Sequence, residues 1–243
     1  PDMQSSTMSI DRRHPIIARV PSRPAARALA TVLAFSLIGA ACGDSTGRGS
    51  RLGGTAGDNA PADTLHVDRI GYDMGDPDAP ILVIEFSDFG CPYCARFALE
   101  TFPIIRSEYI ETGKVAWKYV PFVLGTFPNG AEAAMAAECA GEQGVDRFWQ
   151  MHDELYEEQR AWKSTGDPEA LFYSIARRLR LDRERFESCF DEGRRAHRTR
   201  EANQLAAYAG IRATPTFVIN GFVVQGAIPI DHFRMILDDF AAR

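Results

Sequence analysis

Two cysteines separated by two residues, Cys91-Pro92-Tyr93-Cys94, stand between an apolar run at residues 81–86 and a stretch of helical spacing at residues 92–112. That junction limits the local fold more than any other feature of the chain. Ile81-Leu82-Val83-Ile84-Glu85-Phe86 follows the turn signal Asp76-Pro77-Asp78-Ala79-Pro80 and has the length and continuity of a buried strand. Ala95, Phe97, Phe102, Ile105 and Tyr109 then recur at helical intervals up to Gly113, a natural stop. Residues 115–120 alternate as a second strand, so the unit reads strand, helix, strand, the pattern that gives parallel neighbours in a sheet. The cysteines fall where the first strand hands over to the helix.

That position bears on their chemistry. Paired cysteines at this spacing serve zinc binding or redox chemistry, or arise by chance. Zinc requires four ligands, and this chain has no second pair, while His66, His152, His197 and His232 are scattered singly. No metal site is expected, and the pair reads as a redox dithiol. A cysteine at a first helical turn faces unpaired backbone N–H groups and the positive end of the helix dipole, which favour thiolate over thiol. Pro92 suits the first helical position, where its missing N–H removes nothing. Cys91 is therefore expected to be the exposed nucleophile. Cys94, one turn deeper, is expected to be the buried thiol that resolves a mixed disulfide on Cys91.

Glu85 lies six positions before Cys91 inside the apolar run. If buried, its carboxyl should rise in pKa toward a range where it can exchange a proton with Cys94; the alternative is an exposed strand edge. Near the other end, Ala213-Thr214-Pro215-Thr216-Phe217 puts a proline at the mouth of a strand, where it costs a ladder hydrogen bond unless the strand begins there. The residues alone give a turn proline.

Between residues 128 and 210 the pattern is helical, with helices expected at 131–140, 146–159, 168–179, 182–190 and 194–209, separated by Gly141, Gly144, Gly166 and Gly193. An all-helical block of about 80 residues inside an α/β pattern reads as an inserted subdomain. Strands return at 216–219 and 222–224 around Asn220-Gly221, a two-residue hairpin signal, and residues 230–240 close the chain as an amphipathic helix. At 243 residues, 45% hydrophobic and 25% charged, the composition supports one sizeable core.

The N-terminal part is of another kind. Pro1 is no initiator, so translation is expected to start upstream or at Met3 or Met8. Arg12, Arg13, Arg19, Arg23 and Arg27 precede an uncharged run at residues 28–41, shorter than the roughly 20 apolar residues a membrane-spanning helix needs, so residues 1–41 read as a signal peptide. Leu37-Ile38-Gly39-Ala40-Ala41-Cys42 resembles the lipobox of bacterial lipoproteins, in which Cys42 would be lipidated. Gly39 departs from that motif, and simple cleavage after Ala41 is the other reading. An odd cysteine among five in an oxidising compartment favours modification. Residues 42–64, rich in Gly, Ser, Thr, Asp and Ala, read as a flexible tether, and order is expected from Leu65. Residues 42–243 carry 22 basic and 31 acidic side chains, a formal net charge of −9. Nucleic acid is not an expected partner.

Three segments in this order, Phe86-Ser87-Asp88-Phe89-Gly90-Cys91-Pro92-Tyr93-Cys94, then Glu138-Cys139-Ala140 with Phe148-Trp149, then Ala213-Thr214-Pro215-Thr216-Phe217-Val218-Ile219-Asn220-Gly221, resemble the DsbA-type thioredoxin family over about residues 65–243. The resemblance implies an α/β, thioredoxin-like fold with an inserted α-helical subdomain at about residues 128–210. It implies Cys91 as nucleophile, Cys94 as resolving cysteine, Glu85 as the buried acid, and Thr214 with Pro215 as a cis-proline loop that holds an extended client segment. Related sequences often carry cysteines at the places of Cys139 and Cys189, which implies a structural disulfide; two separate buried thiols are the alternative.

The activity implied is thiol-disulfide exchange without an organic cofactor, in the direction of disulfide formation. The implied partners are exported unfolded or folding proteins and a membrane or periplasmic redox partner, and the implied state is a monomer in the periplasm or cell envelope. Tyr93 departs from the histidine of the strongly oxidising members and removes a positive charge beside the thiolate. A reductase or isomerase on the same residues, and a copper-handling module using Cys91 and Cys94 as soft ligands, are the competing readings.

Overall fold

A five-stranded sheet is built from both ends of the described residues. A computed structural model describes residues 69–242. The signal and tether readings, Cys42 and the onset of order near Leu65 lie outside those residues. β1 (Tyr72–Met74), β2 (Ile81–Ser87), β3 (Val115–Pro121), β4 (Thr216–Ile219) and β5 (Phe222–Gln225) lie in the order β1-β3-β2-β4-β5. β2 and β3 are parallel, as the connecting helical segment requires, and the other pairings are antiparallel. β2 is central: Glu85 lies opposite Tyr119 of β3 and Phe217 of β4. β1, too short to show a period in the sequence, forms an edge.

Alternation along β2 sends Ile81, Val83, Glu85 and Ser87 to one face and Ile84 and Phe86 to the other. The first face meets the larger core, with Trp117, Tyr119, Phe217, Phe97, Phe102 and Phe233. Burial of one such aromatic ring contributes about 2–3 kcal/mol. On the opposite face Phe86, Val120, Phe122 and Val218 pack against Ala202 and Ala206 of α8 (Ala196–Tyr208).

The helical segment after the cysteines departs from a plain α-helix. α1 (Pro92–Arg96) and α2 (Phe102–Ile105) alternate with π-helical turns at Phe97–Thr101 and Arg106–Ile110. The wider turns bring Phe97 and Phe102 against Trp117, with centroids 6.2 and 5.1 Å away, an adjustment that propensity does not reveal.

Between β3 and β4 the chain forms six helices where the sequence suggested five. They are α3 (Gly130–Gly141), α4 (Val145–Glu157), α5 (Gln159–Ser164), α6 (Glu169–Arg178), α7 (Arg183–Asp191) and α8. The expected helix at 146–159 stops at Glu157, because Glu158 leaves helical geometry at φ −96°, ψ 14°. α5 then starts afresh, held inward by the fully buried Trp162, whose indole N–H donates to the Leu155 carbonyl at 2.7 Å. α3 and α7 face each other and carry a disulfide between Cys139 and Cys189, with Cα atoms 5.7 Å apart. Next to it, buried Glu138 accepts hydrogen bonds from Tyr72 (2.6 Å) and Arg198 (2.7 Å), tying β1 and α8 to α3. α9 (Ile230–Ala241) closes the chain against the larger core through Phe233 and Leu237.

Candidate active site

At the end of β2 the chain must turn sharply into α1, and Asp88 fixes that turn. Its Oδ1 accepts from the Gly90 N–H at 2.8 Å, its Oδ2 from the Leu124 N–H at 2.7 Å, and its carbonyl from the Cys91 N–H at 3.0 Å. Gly90 has no room for a side chain, because a Cβ there would overlap Phe127. The turn delivers Cys91 to the N-cap of α1 with Pro92 as the first helical residue and no acidic side chain in the first turn.

Both cysteines are free thiols. Cys91 was expected to be exposed, and it is not: it is 2% exposed against 0% for Cys94. The cover comes from two directions. Its Sγ is turned toward the Thr214 carbonyl oxygen, 3.5 Å away, and the backbone behind it is roofed by α5. The Thr214-Pro215 peptide is cis, and β4 begins just after it, so the proline costs the sheet no donor.

The two thiols are pushed apart in acidity. The Cys91 pKa is lowered to about 6, first by the hydrogen bond from Cys94, then by Thr214 and the backbone N–H groups of Cys94 and Tyr93, against an opposing effect of burial. Cys94 is raised well above the ordinary thiol range, first by burial and then by Cys91, with the Ser87 hydroxyl opposing the rise by hydrogen-bonding the thiolate. Tyr93 is exposed and carries Arg96 over its ring at 5.3 Å.

Glu85 is buried rather than on a strand edge, at 2% exposure. Its Oε1 accepts from Ser87 Oγ at 2.5 Å and its Oε2 from the Trp117 indole N–H at 3.2 Å. Desolvation outweighs both hydrogen bonds and lifts its pKa to about 7. The hydroxyls of Tyr119 and Tyr156 pair at 2.7 Å in the same buried layer, and burial pushes both up in pKa.

Sequence reasoning missed four residues here. Ser87 donates to Glu85, and Asp88 holds the turn; strand alternation alone would have put Ser87 on the face of Glu85. Gln159 and Lys163, one turn apart on α5, grip three successive carbonyls of the turn at residues 89–91. Gln159 Nε2 donates to Phe89 O (2.6 Å) and Cys91 O (2.9 Å), and Lys163 Nζ to Gly90 O (2.5 Å). Nothing in the spacing of residues 159–163 announces that role. Among the single histidines, His152 is buried within an aromatic layer, where desolvation lowers its pKa, and His66 lies outside the described residues.

A family model described as thioredoxin matches residues 70–239. The chain is 27% identical over 166 residues to disulfide bond formation protein D of Bacillus subtilis, covering 68% of this chain and 74% of that protein. It is 35% identical over 149 residues to the Na(+)/H(+) antiporter NhaA 3 of Salinispora tropica, but spans only 21% of that protein's length. Among solved structures, oxidised BdbD from Bacillus subtilis superposes with a TM-score of 0.65 at 26% identity, covering 71% of this chain and 94% of the other. Wolbachia pipientis alpha-DsbA1 gives 0.64 at 25%, with 71% and 91% covered.

Proposed function

The chain belongs to the thioredoxin family and is a thiol-disulfide oxidoreductase of DsbA type, and from that premise we propose that Cys91 and Cys94 form disulfides in exported proteins. The observation that carries the reading is the opposed acidity of the pair: a Cys91 held near pKa 6 at a helix N-terminus beside a Cys94 held well above the thiol range.

In the reaction, a client thiolate attacks Sγ of Cys91 in the Cys91–Cys94 disulfide. That bond breaks, and Cys94 leaves as a thiolate that takes up a proton from Glu85. A second client thiolate then attacks the mixed disulfide at the client sulfur, forming the client disulfide and expelling Cys91 as a thiolate. A low Cys91 pKa makes that sulfur a good leaving group and stabilises the reduced enzyme, which drives the exchange toward client oxidation. Tyr93 between the cysteines brings no positive charge beside the Cys91 thiolate, so a moderate oxidant is expected. The Thr214 carbonyl, 3.5 Å from Cys91 Sγ, supports a docking role for this loop, its backbone pairing with an extended client segment next to Cys91.

An exported setting follows from the signal-like residues 1–41, with attachment to the cell envelope by lipid at Cys42 and resetting of the dithiol by a membrane or periplasmic redox partner. The deciding experiment is the reduction potential of the Cys91–Cys94 couple, with oxidation of a reduced, unfolded secretory substrate as readout. A potential well above the roughly −270 mV of thioredoxin, and loss of oxidation in Cys91→Ser, is the expected result. A potential at or below the thioredoxin value turns the assignment to a reductase.

A further inference from the structure

The geometry points to Gln159 as a positioning residue of the dithiol: from α5 its side-chain amide fixes the peptide planes before and after the Gly90-Cys91 peptide, and with them the place of the Cys91 sulfur. This inference rests on the exchange reaction proposed above and gives the helical insertion a part in it.

The N–H groups of the turn are satisfied from within it. Gly90 donates to Asp88 Oδ1 at 2.8 Å, and Cys91 to the Asp88 carbonyl at 3.0 Å. The carbonyls are satisfied from outside. Cys91 O accepts from the Ala95 N–H at 3.1 Å, but among the hydrogen bonds of the described residues Phe89 O and Gly90 O accept only from side chains of α5. A single nitrogen, Gln159 Nε2, spans Phe89 O at 2.6 Å and Cys91 O at 2.9 Å. Lys163 Nζ holds the Gly90 carbonyl between them at 2.5 Å. A carbonyl turns with the ψ of its own residue, so these bonds hold ψ at residues 89, 90 and 91. At Cys91 that angle is 124°, outside the helical range, and it sets how the side chain stands relative to α1.

The turn needs an external hold because of Gly90. A Cβ there would stand 2.4 Å from Phe127 Cβ, so the position takes only glycine, the residue with the least restricted backbone. The loosest link of the turn therefore lies next to the nucleophile. α5 can supply the hold because it is itself fixed, although six residues would not keep a helix alone. Trp162 is fully buried and donates to Leu155 O at 2.7 Å, while the Asn129 side chain donates to Trp162 O at 2.6 Å and Thr165 O at 3.0 Å. Gln159 is also buried, so bulk water does not stand ready to replace its amide.

The sulfur depends on this hold. Sγ of Cys91 lies 3.5 Å from the Thr214 carbonyl oxygen, on a segment 123 residues away, and rotation within residues 89–91 carries it off that contact. The Cys91 pKa, lowered to about 6 by hydrogen bonds of which that with Cys94 is the largest, depends on the same placement.

The test is the pH profile of iodoacetamide alkylation at Cys91 in the reduced protein, followed by the mass of the Cys91 peptide. The inflection reports thiol acidity, and the alkaline plateau reports access to the thiolate. Gln159→Leu changes no charge. It is expected to raise the inflection by at least about half a pH unit, a loss of about threefold in rate on the acid side, with the plateau within about twofold of wild type. A looser fold with no positioning role would move the plateau and leave the inflection in place, and an unmoved inflection in Gln159→Leu overturns the proposal.

If Gln159→Leu fails to fold by far-ultraviolet dichroism, Lys163→Met is the second arm. It keeps the stem and removes the bond to Gly90 O, and about 1 M salt, with a Debye length of about 3 Å, screens the lost charge. Its inflection is expected above that of wild type in the same salt, and an equal one overturns the proposal. An ordinary thiol inflection in the wild-type protein overturns the acidity assigned to the pair and the positioning role with it; failure confined to the variants overturns the positioning role alone.

Discussion

Gln159 donates its side-chain amide to the carbonyl of Cys91 at 2.9 Å, and with its second N–H reaches the Phe89 carbonyl at 2.6 Å, so the helical insertion holds the peptide that carries Cys91. Lys163, four residues on, takes the Gly90 carbonyl between them. The six-residue helix α5 therefore acts as a clamp on the reactive turn, linking the insertion to the end of β2.

The clamp makes Gln159→Leu a sharp probe. The change keeps the volume near Phe89 and Cys91 but leaves the Phe89 carbonyl without its donor, a loss of about 1–3 kcal/mol for a buried acceptor. Urea unfolding of the reduced protein is expected to show a lower midpoint with an unchanged slope. An unfolding free energy within about 0.5 kcal/mol of wild type, the ordinary range for surface changes, would show that these bonds do not hold the turn.

Cys91 acidity is open to a direct check by alkylation. With a pKa near 6, the rate of reaction with iodoacetamide is expected to inflect about there and to be close to its plateau at pH 7. The hydrogen bond from Cys94 is the largest cause of that low value, ahead of Thr214 and the helix N-terminal N–H groups. Cys94→Ala is therefore expected to move the inflection up toward the ordinary thiol range. An unmoved inflection would transfer the credit to the helix terminus.

How much of this site could be read from the sequence depends on whether the signal was local. Cys91, Cys94 and Pro92 announce a helix N-terminus by themselves, and the apolar run around Glu85 announces its burial, because strand period and helix capping are properties of a few neighbouring residues. Cover over Cys91 was not legible, since it comes from Thr214, 123 residues away, and from α5. α5 itself escaped because six residues are too few to establish a helical period. The π-helical turns at Phe97 and Arg106 escaped for a related reason: they are set by how Phe97 and Phe102 meet Trp117 across the core.

The Cys139–Cys189 bridge spans 50 residues of sequence and joins α3 to α7. Closing a loop of that length restricts the unfolded chain enough to contribute roughly 2–5 kcal/mol. Cys139→Ser with Cys189→Ser is expected to lower the unfolding free energy by that amount. The reduction potential of the Cys91–Cys94 couple should stay where it is, because both bridge sulfurs are buried in the helical block. A shift in the potential with the stability loss would show that the insertion tunes the dithiol through α3 and α7 as well as through α5.

Glu85 should leave a signature in stability as well as in rate. Its carboxyl has a pKa of about 7 when folded and close to 4.5 when unfolded, so both states hold the proton below about pH 4.5 and neither is favoured. Between 4.5 and 7 the folded protein binds a proton that the unfolded chain has released. Stability therefore falls as pH rises through that window, by about 1.4 kcal/mol for each pH unit at full slope, and levels off above pH 7 at a deficit on the order of 3 kcal/mol. Glu85→Gln removes the titration. The difference in unfolding free energy between variant and wild type, both fully reduced, is expected to move in favour of the variant from pH 5 to pH 8. Cys91 acts with the opposite sign from about pH 6 upward, but it is present in both proteins and drops out of the difference. A difference that stays flat across that range would mean that Glu85 remains ionised throughout and holds no proton to give at neutral pH.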